Sequence, residues 1–205
     1  MFTARFIAFV FSAAVLFSAC NSGSSNPDSA KQQQASVSLE SFFAEFPQVN
    51  LPVTLPEMQE PQTKSLSNST IKQIFAKSGY RPAIGNSKDV PDLADNAESA
   101  KYFAEGIFRT DAFTAVIIRK TDDGDTYYYL STFDSKGQFI DGMCVAFDLD
   151  GEISRIASIN DDYSIQIGQA EKTNGAASAQ TRVFFELLED GHINSLSNNA
   201  ANAPV

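Results

Sequence analysis

Histidine occurs once in this chain of 205 residues, and cysteine twice. With His192 alone, no His cluster for zinc, no triad drawing on a second His and no neighbouring Cys–His pair can be built. Basic residues are also scarce. Fifteen Lys and Arg stand against 25 Asp and Glu, a net charge of −10, which disfavours nucleic acid as a partner. The chain has no Gly-rich phosphate loop, no nucleophile elbow, no transmembrane stretch and no repeat longer than a strand spacing, so no motif assigns it a reaction. What it does have is a hydrophobic content of 43%, ordinary for a globular core, in a length that suits one domain plus tails.

The first residues carry an address. Met1 to Arg5 precedes the apolar run Phe6 to Phe17, and the run ends in Leu16-Phe17-Ser18-Ala19-Cys20. One basic residue followed by roughly a dozen apolar ones is too short for a permanent membrane span and has the form of a secretory signal. The residues up to Cys20 resemble the lipobox of bacterial lipoproteins, and the resemblance implies that Cys20 becomes the lipidated first residue of the mature chain. The expected organisation is a signal peptide at 1–19, a lipidated Cys and flexible Ser/Gln/Asn-rich tether at 20–37, one β-rich domain at 38–196, and a disordered polar tail at 197–205. The expected location is the bacterial cell envelope, lipid-anchored to the outer membrane and facing the periplasm. Loss of 1–19 removes Arg5 and no acid, leaving a charge of about −11, so attachment should come from the lipid rather than from a basic face.

The stretch from Phe113 to Ile167 reads as an antiparallel β-meander, because compact turns divide it into short alternating runs. The turns are Asp122-Asp123-Gly124, Ser135-Lys136-Gly137, Leu149-Asp150-Gly151 and Asn160-Asp161-Asp162, each read as a three-residue loop. Thr121 should then face Asp125, Asp134 face Gln138, Asp148 face Glu152 and Ile159 face Tyr163, so that odd residues share one face throughout. That face would hold most of the large apolar groups, with a second face apolar only at its centre. Such a sheet needs two coverings, or must curl upon one face. The expected fold is therefore mainly β (α+β), a single curved antiparallel meander of about six to eight strands with one or two short N-terminal helices packed on it.

Before the meander, Leu39, Phe42, Phe43 and Phe46 have helical spacing behind Ser38, with Pro47 after them. They are read as packing on the sheet, with insertion into a membrane as the alternative. Pro47, Pro52, Pro56 and Pro61 mark an extended segment over apolar surface. Ser69 to Lys77 is a second helix, stopped by Gly79. Residues 38–101 thus carry helices and extended chain, with a helix from Ala97 to about Lys101 after an acidic turn at 89–96, and 102–196 the strands. Phe-x-x-Phe-Pro followed by Leu-Pro, with Thr132-Phe133-Asp134 and Gly137 later, resembles bacterial envelope lipoproteins of no assigned activity.

For chemistry, the register places Arg119, Tyr127, Val145 and Arg155 in one row, with Tyr129 nearby and Asp141 opposite Ser131. These residues suggest a shallow cleft with Tyr127 and Tyr129 as floor and two guanidiniums receiving an anionic group. Alternate turns share an end of a meander, so Asp122, Asp123, Asp148 and Asp150 should share a rim that could take calcium. The EF-hand pattern fails there, since it would require ligands at Ala146 and Ala157. Cys144 reads as a small buried hydrophobe and His192 as an exposed or edge residue. The functional expectation is a non-enzymatic module that needs no cofactor and binds an envelope protein, a peptide or a small anionic ligand. The alternative is an envelope hydrolase whose groups converge only in three dimensions.

Overall fold

Strand Phe113–Asp122 (β5) reverses into Asp125–Asp134 (β6) through two residues, not three, and that single residue reorganises the sheet. Asp122 pairs with Asp125, and both Asp123 and Gly124 have positive φ, 49° and 95°. This is the type I′ geometry, whose twist matches that of the flanking strands. Even positions of β5 therefore share a face with odd positions of β6, and the constant parity expected from the sequence is lost.

The computed structural model describes residues 38–56, 63–76, 78, 80–82, 90–95, 98–149, 153–173, 176–177 and 181–196. The expected signal peptide, Cys20, the expected tether, Asp150, Gly79 and the expected tail lie outside these residues, and the described ones fall in one compact unit. The elements in chain order are α1 (Leu39–Phe43), β1 (Val53–Leu55), β2 (Lys64–Leu66), α2 (Asn68–Phe75), β3 (Arg81–Pro82), β4 (Lys101–Arg109), β5, β6, β7 (Phe139–Leu149), β8 (Ile153–Ile159), β9 (Ser164–Thr173), β10 (Ala176–Ala177), β11 (Thr181–Leu187) and β12 (Ile193–Ser195). The sheet runs β12-β11-β9-β8-β7-β6-β5-β4-β2, with β1, β3 and β10 attached beside β8, β7 and β9. It is the curved antiparallel meander expected, extended at its sides by short strands from the Pro-rich region and the C-terminus.

The other turns follow their chemistry more closely. At 135–137 the three-residue loop forms as expected, with Gly137 at φ 78° and the Asp134 carboxylate accepting from the Lys136 and Gln138 amides. Phe133 accordingly faces Phe139. Ile140 and Val145 are extra residues on β7: the first makes Tyr129 face Cys144 rather than Met143, and the second shifts the pairing again from Tyr128 on. The two-residue β5–β6 turn makes Tyr129 face Ile118 rather than Ile117. A further bulge places Glu105 between Ala104 and Gly106 of β4. Leu149 faces Ile153, and the β8–β9 loop closes between Asn160 and Ser164, so both registers lie one step along from those expected. Tyr163 then falls at the loop's left-handed position, with φ 64°.

Both faces of the sheet are covered. Val116, Ile118, Tyr129 and Phe133 pack under Phe42, Phe46, Ile71, Phe75 and Leu93 of the N-terminal region. Phe42 is 1% exposed, so the Phe side of α1 is core rather than a membrane-inserting face. Ser38 and Ser67 cap the two helices by accepting from the Ser41 and Thr70 amides. No helix precedes β4 at residues 98–100, which form a turn before the strand begins at Lys101.

The second face is closed by the sheet itself. β7 and β8 pair only from Phe147 to Leu149; farther on, β8 pairs with β1 while β7 pairs in parallel with β3. That fork lets β8, β9, β11 and β12 curl back, bringing Ala157, Ile159, Ile165, Ile167 and Phe185 against Ile117, Leu130 and Met143. Each fully buried Ile, Leu or Met side chain among them stabilises the fold by about 1.5–3 kcal/mol.

Candidate functional site

The row expected to join two arginines is built from other residues. Lys120 faces Tyr127, Tyr127 faces Phe147, and Phe147 faces Arg155. Arg119 lies on the opposite face, where its guanidinium stands 4.2 Å over the Phe103 ring and bonds Glu105 Oε1 at 2.5 Å and Thr63 Oγ1 at 3.2 Å. Arg155 is 2% exposed and stacks 4.3 Å over the Phe147 ring on the helix-covered face. The two guanidiniums therefore do not share a cleft. The physical cause is the parity flip at Asp123-Gly124, which sends Arg119 away from Tyr127 and brings Lys120 to it.

The tyrosine floor exists, but the chain's own segment 90–95 roofs it. Tyr129 donates to the Pro91 carbonyl at 2.7 Å and Tyr102 to the Leu93 carbonyl at 2.9 Å. Lys120 donates to the Asp92 carbonyl at 3.2 Å and the Asp95 carbonyl at 2.6 Å. Burial lowers the Lys120 pKa, against the opposing pull of Asp122, Asp95 and Asp92. Tyr127 bonds the Asp125 carboxylate and is pushed up to about 12, mainly by burial. The sequence signal for Lys120 was its place after Val116 and Ile118 on the same strand face.

Asp141 faces Thr132, not Ser131, and it fastens the fold rather than facing a cleft. Its carboxylate accepts from the Gly142 amide at 2.8 Å and from the Ile193 amide at 3.0 Å, while Thr132 donates to the Gly191 carbonyl at 2.7 Å. Together these bonds hold the last turn and β12 against β6 and β7. His192 Nδ1 lies 3.8 Å from the same carboxylate on a side chain that is 57% exposed.

At one end of the sheet Asp122, Asp123, Asp125 and Asp148 share a rim, as Thr126 pairs with Asp148. Asp122 accepts from Ser99 and Asp125 from Tyr127. Among the described residues no group of three or more His, Cys, Asp or Glu is placed to hold a metal ion. Cys144 is wholly buried, and burial pushes its thiol up to about 12, far from the thiolate form a nucleophile needs.

At the other end three turns enclose a recess of about 390 Å³ between Thr110–Phe113, Tyr163 and Leu187–Glu189. The Thr110 hydroxyl accepts from the Ala112 and Phe113 amides and sets the first turn. The Tyr163 carbonyl accepts from the Leu187 amide at 3.0 Å and ties the second turn to the third. The Tyr163 ring stacks on Phe108 with centroids 6.5 Å apart and meets Phe113 edge-on at 6.3 Å. A left-handed backbone is costly for a bulky residue, and here it sets an aromatic ring in the wall of a cavity. The lining residues include the acidic Asp111 and Glu189 and, among the described residues, no Lys, Arg or His.

Sequence reasoning missed this recess because its three walls lie 50 and 24 residues apart in the chain and meet only after the sheet curls. Comparison with known proteins gives no match, for no family model fits the chain and no curated protein or solved structure is similar to it.

Proposed function

We propose that this chain is a lipid-anchored protein of the bacterial cell envelope, held by an acylated Cys20 at the periplasmic side of the outer membrane. Its folded body acts as a non-enzymatic binding module. The anchor rests on the apolar run Phe6 to Phe17, the small residues before Cys20 and the polar tether after it. The observation that carries the binding reading is the aromatic recess at Tyr163, where a strained backbone serves a concave, mostly apolar surface whose lining includes Asp111 and Glu189. Three groups of catalytic type among the described residues are engaged in structure. The Cys144 thiol is buried, Lys120 grips two carbonyls, and the Thr132 hydroxyl donates to a carbonyl rather than to an imidazole.

The alternative, an envelope hydrolase, draws on the approach of His192 to Asp141 at 3.8 Å. A triad sets the imidazole between hydroxyl and carboxylate, whereas Thr132 bonds the Asp141 backbone and Gly191. Two experiments separate the readings. A fatty-acid analogue fed to expressing cells should label the wild type and leave Cys20→Ser unlabelled. The detergent-solubilised full chain should turn over none of a panel of ester, glycan and peptide substrates, and turnover abolished by His192→Ala would establish the hydrolase instead.

A further inference from the structure

The recess at Tyr163 has a sign as well as a shape. Resting on the binding reading above, we infer that its ligand is a basic side chain, lysine or arginine, presented by a partner polypeptide. The chemistry has three parts, each matching one part of such a side chain. Asp111 and Glu189 are exposed carboxylates on the turns either side of the recess, and they complement a cationic head. Tyr163 lines the recess with its ring packed against Phe108 and Phe113, and an aromatic residue in such a wall suits a cation. Leu187 and Leu188 line the same recess and suit the methylene stem that lysine and arginine lay along apolar surface.

Charge at long range points the same way. Asp161 and Asp162 lie on the Tyr163 turn and Asp190 on the next, all exposed, and the whole chain carries −10. Asp162 is held ionised by its hydrogen bonds from Ser164. A basic segment would be steered toward this end of the molecule, while a carboxylate or phosphate would be repelled. The anionic ligand expected from the arginines is thus replaced by its opposite, because the arginines are engaged elsewhere and the recess carries acids. A volume of about 390 Å³ accommodates one long side chain with its adjoining backbone.

The test uses the full chain in detergent and a dye-labelled pentapeptide, Gly-Leu-Arg-Leu-Gly, with versions carrying Lys, Gln or Glu at the centre. Fluorescence anisotropy should show binding of the Arg and Lys peptides, at least tenfold weaker binding of the Gln peptide, and none of the Glu peptide. The double variant Asp111→Asn, Glu189→Gln changes only exposed groups and should weaken the Arg peptide at least tenfold with an unchanged melting temperature. Added salt should weaken it as well. Tyr163→Gly, which suits the left-handed position, should abolish binding while the protein stays folded. Equal affinity for the Gln and Arg peptides, lost in Tyr163→Gly, would overturn the basic ligand and leave the recess a binding site. Binding of no peptide, or binding unaffected by Tyr163→Gly, would overturn both.

Discussion

Lys120 shows how one side chain can organise a surface that the sequence suggests should be open. Its ammonium binds two carbonyls of segment 90–95 and, with Tyr102 and Tyr129, fixes that segment by its backbone. Lys120→Met keeps the length of the stem but removes both bonds to the 90–95 carbonyls, so it should destabilise the protein by about 1–3 kcal/mol. Hydrogen exchange should then rise first in residues 90–95. Alkaline pH acts on the same layer and on Tyr128 of the other face. Burial raises the pKa of Tyr80, Tyr128 and Tyr129, and pushes Tyr102, Tyr127 and Cys144 up to about 12. For an acid whose folded pKa is raised, the unfolded chain releases its proton first. The stability contributed is therefore whole below the ordinary values of 9.0 for Cys and 10.0 for Tyr, and is lost as pH rises toward 12. Lys120, with its pKa lowered, works the other way below 10.5, one group against six. Tyrosinate absorbance should consequently rise together with loss of ellipticity above pH 10; gradual titration of these tyrosines in a folded protein would contradict the burial.

At the scale of elements, what could be read in advance was what local chemistry decides. Ser38 capping α1, the Gly137 loop and the buried Phe42 all follow from short-range rules. The β5–β6 turn was ambiguous because Asp122-Asp123-Gly124-Asp125 can be cut as a two- or three-residue loop, and both cuts give Gly124 a positive φ. That ambiguity flipped the faces and exchanged Arg119 for Lys120. The bulges at Ile140 and Val145 had no local signal, since they answer to packing on both sides of β7. One consequence of the β7 path can be measured. A Cβ on Gly142 would lie 2.5 Å from the Tyr80 ring, so Gly142→Ala should cost about 1–3 kcal/mol in denaturant unfolding. Asp141→Ala removes the acceptor of the Ile193 amide and should cost about 1.5–3 kcal/mol, with added exchange confined to β12 and the turn before it.

On the scale of the whole molecule, the sheet solves its two-face problem asymmetrically. Helices and the 90–95 segment cover one side, and the C-terminal strands curl over the other. The curl also makes the recess, by bringing the Thr110, Tyr163 and Leu187 turns to one end, opposite the rim of Asp122 and Asp148. With Cys20 acylated as proposed, the acidic body would keep clear of anionic membrane surface and present that end to the proposed basic partner. The measurement that tests this most directly is a nitrogen–proton correlation spectrum of the full chain in detergent, titrated with the Arg-centred pentapeptide. The account predicts shifts confined to Thr110–Phe113, Tyr163 and Leu187–Glu189. Shifts centred instead on the Asp122 rim or on β12, or a spectrum that saturating peptide leaves unchanged, would contradict it.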